Sequence, residues 1–215
     1  MHARPITAIS IALALLAAAA TSAGPDTGKT AVEADFQTYD ATTVRGNDTL
    51  ATLRQRLGQD HVIAGEVPGA EDTEPGWIIH PKDPKRRIYV YLDEQGKHPG
   101  TLAVRDRGSR WRTPENVHMG LTSAELAARN LKPFTFTGFN WDYGGRVSDW
   151  HGGRLRHASG VVLCPPEFPG GRQPKGYPEG DAAFASTLPI LARFPPKVCG
   201  FELEIAAAAN SPAAH

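Results

Sequence analysis

The chain has 215 residues, 40% hydrophobic and 21% charged, which is ordinary globular composition for one domain or two small ones. Lys and Arg number 23 and Asp and Glu number 23, so the net charge of +0 argues against a nucleic-acid binder and against an acidic disordered tail. With Gly at 22 and Pro at 18, the chain is rich in turns and poor in long helices.

Residues 1–23 read as a secretory signal peptide. Arg4 gives a positive start, residues 6–20 are apolar, and Thr21-Ser22-Ala23 is a small-residue cleavage site with cleavage expected after Ala23. The apolar run is short for a membrane span, and no later stretch is long enough for one. The expectation is a periplasmic protein with no membrane span once the signal is removed. Residues 24–41 are polar and unpatterned and read as a linker or loosely ordered segment. Residues 206–215 read as a disordered tail.

Between these ends the chain carries a weak internal repeat. A shift of 73 positions places Thr49 on Thr122, Leu53 on Leu126, Arg56 on Arg129 and Trp77 on Trp150. Two α+β units follow, residues 42–110 and 111–205. Each opens with a short helix. In the first, Asp48 or Thr49 caps a helix whose Leu50, Leu53 and Leu57 share one face. In the second, Thr122-Ser123-Ala124-Glu125 matches a capping box, Leu126 and Leu131 point inward, and Pro133 ends the helix.

Strands come next. Residues 87–92 alternate, with Ile88, Val90 and Leu92 on one face, and residues 101–105 form another strand after a turn at 97–100. In the second unit residues 134–137 alternate, Gly138 suggests a bulge, and Phe139, Trp141 and Tyr143 resume the alternation. Gly144-Gly145 then closes a two-residue hairpin that sets Trp141 opposite Ser148 and Phe139 opposite Trp150. Residues 161–164 and 197–205 complete the sheet. The fold class is α+β: an antiparallel sheet with short helices on one face, in two tandem helix-then-strands units. Cys164 and Cys199 are the only cysteines; in an exported chain they read as a structural disulfide closing a 35-residue loop and joining the last two strands.

The segment Gly120-Leu121-Thr122-Ser123-Ala124-Glu125-Leu126, then Asn130, Pro133-Phe134 and Gly138-Phe139-Asn140-Trp141-Asp142-Tyr143-Gly144-Gly145, resembles a family of uncharacterised exported bacterial proteins. The pattern Gly-Phe-x-Trp-Asp-Tyr-Gly-Gly is its most specific part, and the resemblance spans roughly residues 42–205. It implies a class and a compartment but no chemistry. More loosely, the tandem resembles beta-lactamase-inhibitor-protein-like folds, whose members use the sheet face to bind proteins; that likeness is of fold only.

Candidate sites are few. Phe134, Phe136, Phe139, Trp141, Tyr143 and Trp150 suit either a binding platform or a small-sheet core. Asp142, Asp149, His151 and His157 are the best acid–base or metal set, but lack the spacing of a metal motif, and Asp142 before a Gly-Gly turn also suits local backbone bonding or a pair with Arg146 or Arg154. The basic stretch at residues 80–87 reads as contact with an anionic surface or as a solvated loop. No nucleophile elbow or phosphate-binding Gly loop occurs, and no cofactor or metal is expected. The reading is a non-enzymatic exported protein that binds an envelope protein partner, as an inhibitor, assembly accessory or immunity-type protein. Its binding residues would be Trp141, Asp142, Tyr143 and Trp150. The alternative is an envelope glycan-binding module, or a glycan-acting enzyme using Asp142 and Asp149 as paired carboxylates.

Overall fold

The computed structural model describes residues 35–40, 43–69 and 72–206. The signal-peptide reading and the tail after Ala206 lie outside the described residues.

Two short helices set the plan. α1 (Leu50–Leu57) starts at Thr49, whose hydroxyl accepts from the Thr52 N–H while Thr52 reaches back to the Thr49 N–H. α2 (Ser123–Asn130) starts at Thr122 with the predicted capping box: Glu125 accepts from the Thr122 N–H, and Thr122 from the Glu125 N–H. Leu53 and Leu126, equivalent under the 73-residue shift, are both fully buried. Leu131 corrects the sequence expectation. It takes the left-handed conformation that ends α2, with φ 60°, and is 74% exposed rather than inward.

Among the described residues, eleven strands follow or flank these helices in three sheets. β2 (Val62–Pro68), β3 (Thr73–Ile79), β4 (Ile88–Leu92) and β5 (Pro99–Val104) form an antiparallel meander. β9 (Val162–Cys164) and β11 (Lys197–Leu203) extend it, giving one six-stranded sheet in the order β2-β3-β4-β5-β11-β9. β7 (Thr135–Thr137), β8 (Val147–Asp149) and β10 (Ala183–Ala185) make a three-stranded sheet that touches the first through an Arg146–Val162 bridge. A further short helix, α3 (Pro189–Arg193), precedes β11.

The register supports the tandem reading. Val90 pairs with Leu102 in the first unit, and Leu163, 73 positions after Val90, pairs with Val198 in the second. Val198 lies 96 positions after Leu102, so the second connection is longer by roughly two dozen residues. Both units contribute to one sheet because β5 and β11 pair antiparallel, with Val104 beside Phe201.

Alternation divides the large sheet. Trp77, Ile79, Ile88, Val90, Leu102, Leu163, Phe201 and Leu203 are buried with Leu53 and Leu126 in one core. On the opposite face Ile63 pairs with Ile78, Ile78 with Tyr89, Tyr89 with Ala103 and Ala103 with Glu202. Ile63 is exposed and Ile78, Tyr89 and Glu202 are partly exposed, and among the described residues no helix covers this face.

Residues 35–40 differ from the linker expectation. Phe36 and Tyr39 are buried, and β1 (Gln37–Thr38) pairs with β6 (Trp111–Arg112). Cys164 and Cys199 form the expected disulfide, with Cα atoms 5.7 Å apart, joining β9 to β11. No helix among the described residues is long and apolar enough to cross a membrane.

Candidate functional site

The Gly-Phe-x-Trp-Asp-Tyr-Gly-Gly segment is a loop, not a resumed strand. β7 ends at Thr137 because Gly138 abuts Glu179 and Gly180; a Cβ there would come within 2.6 Å of the Glu179 carbonyl carbon. Phe139 turns into the core, between Phe136 and Tyr177, at ring separations of 5.7 and 5.5 Å. The chain then reverses: the Gly144 N–H donates to the Trp141 carbonyl, and the Gly145 N–H to Thr137 and Gly138. Gly145 has φ 76° and sits against the Leu163 carbonyl, which leaves no room for a side chain. The strand returns as β8, but in a different register from the expected one. Thr135 faces Asp149 and Phe136 faces Val147, so the connection is a wide loop rather than a two-residue turn.

This loop separates the aromatic set. Phe134, Phe136 and Phe139 are core, and so is Trp150, which is 8% exposed and donates its indole N–H to the Ala158 carbonyl. Trp150 therefore does not present itself to a partner. Asn130, fully buried, fixes this region by donating to the Trp150 and Lys132 carbonyls and accepting from the Leu155 N–H. Trp141 and Tyr143 stand outside, 36% and 54% exposed, with ring centroids 5.5 Å apart in an edge contact. The Trp141 indole donates to the Gly138 carbonyl, which orients the ring without burying it.

Beside them opens a cleft of about 420 Å³ on the uncovered sheet face. Tyr91, Arg105 and Val162 lie on the sheet side. Pro68, Gly69 and Glu74 come from the β2–β3 hairpin turn, and Asp142, Tyr143, Gly144 and Arg146 from the loop. Gly69 and Asp142 are 73 positions apart, so the two turns that border the cleft occupy equivalent places in the two units.

The charges of the cleft are only partly paired. Arg105 lies over Gly200, where a Cβ would meet its guanidinium at 2.7 Å; the glycine makes room for it. Arg146 is 3.6 Å from Glu202, which also accepts from Ser159 at 2.6 Å, and Asp142 pairs with neither Arg146 nor Arg154 among the described residues. Asp142 and Arg105 make no hydrogen bond or ion pair among the described residues. The Tyr91 hydroxyl donates to the Pro68 carbonyl and ties the sheet to the hairpin turn. Further along the face, Arg87 pairs with Asp106 at 2.9 Å, and its hydrogen bond with Tyr89 helps hold it above the usual arginine range.

Asp149 does not line the cleft. Its carboxylate accepts from the His151 N–H at 2.6 Å and lies 3.1 Å from the His151 ring, at the end of β8. His157 lines a separate, much smaller cavity of about 60 Å³. Among the described residues, no group of three or more His, Cys, Asp or Glu is placed to hold a metal.

Sequence reasoning located the loop but missed its counterparts. The β2–β3 hairpin, Tyr89, Tyr91 and Arg105 were not flagged, because their role depends on which sheet face the helices leave open. No family model, no curated protein and no solved structure matches this chain.

Proposed function

We propose that this chain is an exported, non-enzymatic protein that docks an envelope protein partner on its open sheet face, between the two hairpin turns. The observation that carries the reading is the exposed Trp141–Tyr143 pair beside a cleft with Arg105 and Asp142 unengaged. Trp, Tyr and Arg are the residue types that dominate protein interfaces, because they bury much area with a polar handle. A disulfide between Cys164 and Cys199 fits an oxidising compartment such as the periplasm. Asp142 would accept a charge-assisted hydrogen bond from the partner and fix its orientation.

Site-specific photo-crosslinking in the native envelope tests this. A crosslinker at Tyr143 or Tyr89 is expected to give one discrete protein adduct, lost with Trp141→Ala in a protein that still folds. The same group at Leu131, exposed at the end of α2, is the control and is expected to give none. Adducts of equal yield at all three positions would overturn the docking reading. So would no protein adduct together with retention on envelope glycan, since the same exposed aromatics stack on sugar rings.

A further inference from the structure

A second concavity lies at the opposite end of β3, at the β3–β4 turn. Its volume is about 380 Å³, within the range of small-molecule sites. Its floor is apolar: Leu57 of α1, Ile79 and Ile88 paired across β3 and β4, and Trp111 of β6. Its polar lining is Tyr39, Thr43, Arg56, His61, His80 and Arg86, with no carboxylate among the described residues that line it. The basic stretch at residues 80–87 thus places two of its members on a pocket instead of leaving all of them as a solvated loop.

The existing partners of these groups leave a donor surplus. Arg56 is occupied: its two terminal nitrogens donate to Asp48 at 2.9 and 2.6 Å, and one also to the Thr43 carbonyl. Arg86 has no carboxylate within ion-pair reach among the described residues; its guanidinium lies 3.3 Å from the His80 ring nitrogen. The His61 and His80 rings meet edge-on at 5.1 Å. Tyr39 is 5% exposed and lines the pocket with its ring; its hydroxyl has no accessible surface, and burial first, then the Asp40 charge, hold it above the usual tyrosine range.

We propose that this pocket binds a small organic oxyanion, a carboxylate, sulfonate or phosphate on a compact apolar body. Arg86 supplies the charge and the donors, and Ile79, Ile88 and Trp111 pack the body. The site is distinct from the open sheet face and does not depend on the docking reading.

Binding carries a proton with it. His80 is held below the usual histidine range by burial first, then by the Arg86 guanidinium and the neighbouring His61 ring, against a smaller opposing effect of Asp83. Arg56, the remaining cation of the lining, is neutralised by Asp48. A bound anion offsets the repulsion from Arg86 and raises His80 toward its unperturbed value of about 6.5. Affinity therefore rises as the pH falls from about 8 to about 6.

Calorimetric titration of the purified chain with benzenesulfonate, an anion throughout that range, tests the proposal, with benzyl alcohol as the uncharged match. Saturable benzenesulfonate binding is expected, about 10-fold or more tighter than the alcohol. Arg86→Gln, at an exposed side chain, is expected to weaken it about 10-fold without changing thermal unfolding. Absence of saturation up to about 10 mM, equal affinity for the alcohol, or wild-type affinity in a folded Arg86→Gln protein would each overturn the site. Binding that is independent of pH would overturn the role given to His80.

Discussion

Thr49 and Thr122 cap their helices in the same way, and Leu53 and Leu126 are buried to the same degree, yet the strands that follow differ. In the first unit β2 and β3 pair over seven residues each. In the second, β7 and β8 are three residues each and their register slips after Thr135. The first unit is held by ladder hydrogen bonds and by a buried carboxylate, Asp48, where the second has Leu121. The second is held by interlocking rings, from Trp150 through Phe134, Phe136 and Phe139 to Tyr177, and by the Cys164–Cys199 bridge around its longer connection. A repeat that gives up strand pairing frees backbone for loops, and loops positioned by a rigid sheet are where binding side chains collect. The Trp141–Tyr143 loop is the product of that exchange.

The sharpest way to break the comparison is to remove the aromatic support. Trp150→Ala is expected to cost about 4 kcal/mol, as much as the equivalent Trp77→Ala, measured by chemical denaturation. A near-neutral Trp150→Ala would mean that the rings do not replace the missing ladder. Next, Cys164→Ser with Cys199→Ser is expected to cost roughly 3–4 kcal/mol by the chain-entropy argument for a loop of this size. Hydrogen exchange should quicken between residues 165 and 196 and stay slow in β2 to β5. Quickening spread evenly over both units would show that the bridge stabilises the whole sheet and not the second unit.

Asp48→Asn isolates the first unit's own device. Burial works against the Asp48 carboxylate, but hydrogen bonds from Arg56 and the Arg45 N–H outweigh it and hold its pKa below the usual value. The stabilisation is complete above the unfolded-state value of about 3.9 and is lost as the pH falls through the lower folded-state value. The variant is expected to cost about 3 kcal/mol at neutral pH and to flatten the loss of stability in that acid window. The smallest effect is expected at the loop itself. Tyr143→Ala should change stability by less than about 0.5 kcal/mol in the same denaturation assay, since the side chain is half-exposed and holds no partner of its own beyond Trp141.

Much of the framework was legible because it rests on local rules. The capping box at Thr122 and Glu125, the alternation of Ile88 and Val90, and the pairing of two lone cysteines all depend on neighbours in sequence or on the compartment. Leu53 and Leu126, and Trp77 and Trp150, which the 73-residue shift superposes, are buried alike. The β2–β3 hairpin was not legible, since Pro75 and Gly76 interrupt its pattern; a Cβ at Gly76 would meet the Val90 carbonyl oxygen at 2.6 Å and the Val67 side chain at 2.7 Å. Residues 35–40 read as linker because only two of them, Phe36 and Tyr39, turn inward, too few to show a period.

The candidate site divides in the same way. The sequence alone marked Trp141, Asp142 and Tyr143, because glycines on either side of an aromatic cluster signal a constrained loop. It could not separate them from Trp150, since exposure is settled by what packs behind each ring. The tertiary structure decided that Trp150 turns in against Phe134 while Trp141 and Tyr143 stay out, and it set the loop opposite the β2–β3 turn across an uncovered sheet face. It also gathered Tyr39, Arg56, His61, His80, Arg86 and Trp111 from four separate stretches into one pocket. Local capping, alternation and cysteine chemistry act over a few residues and can be read along the chain. Which face the helices cover, and which distant side chains then share a cavity, follows from packing the two units into one sheet.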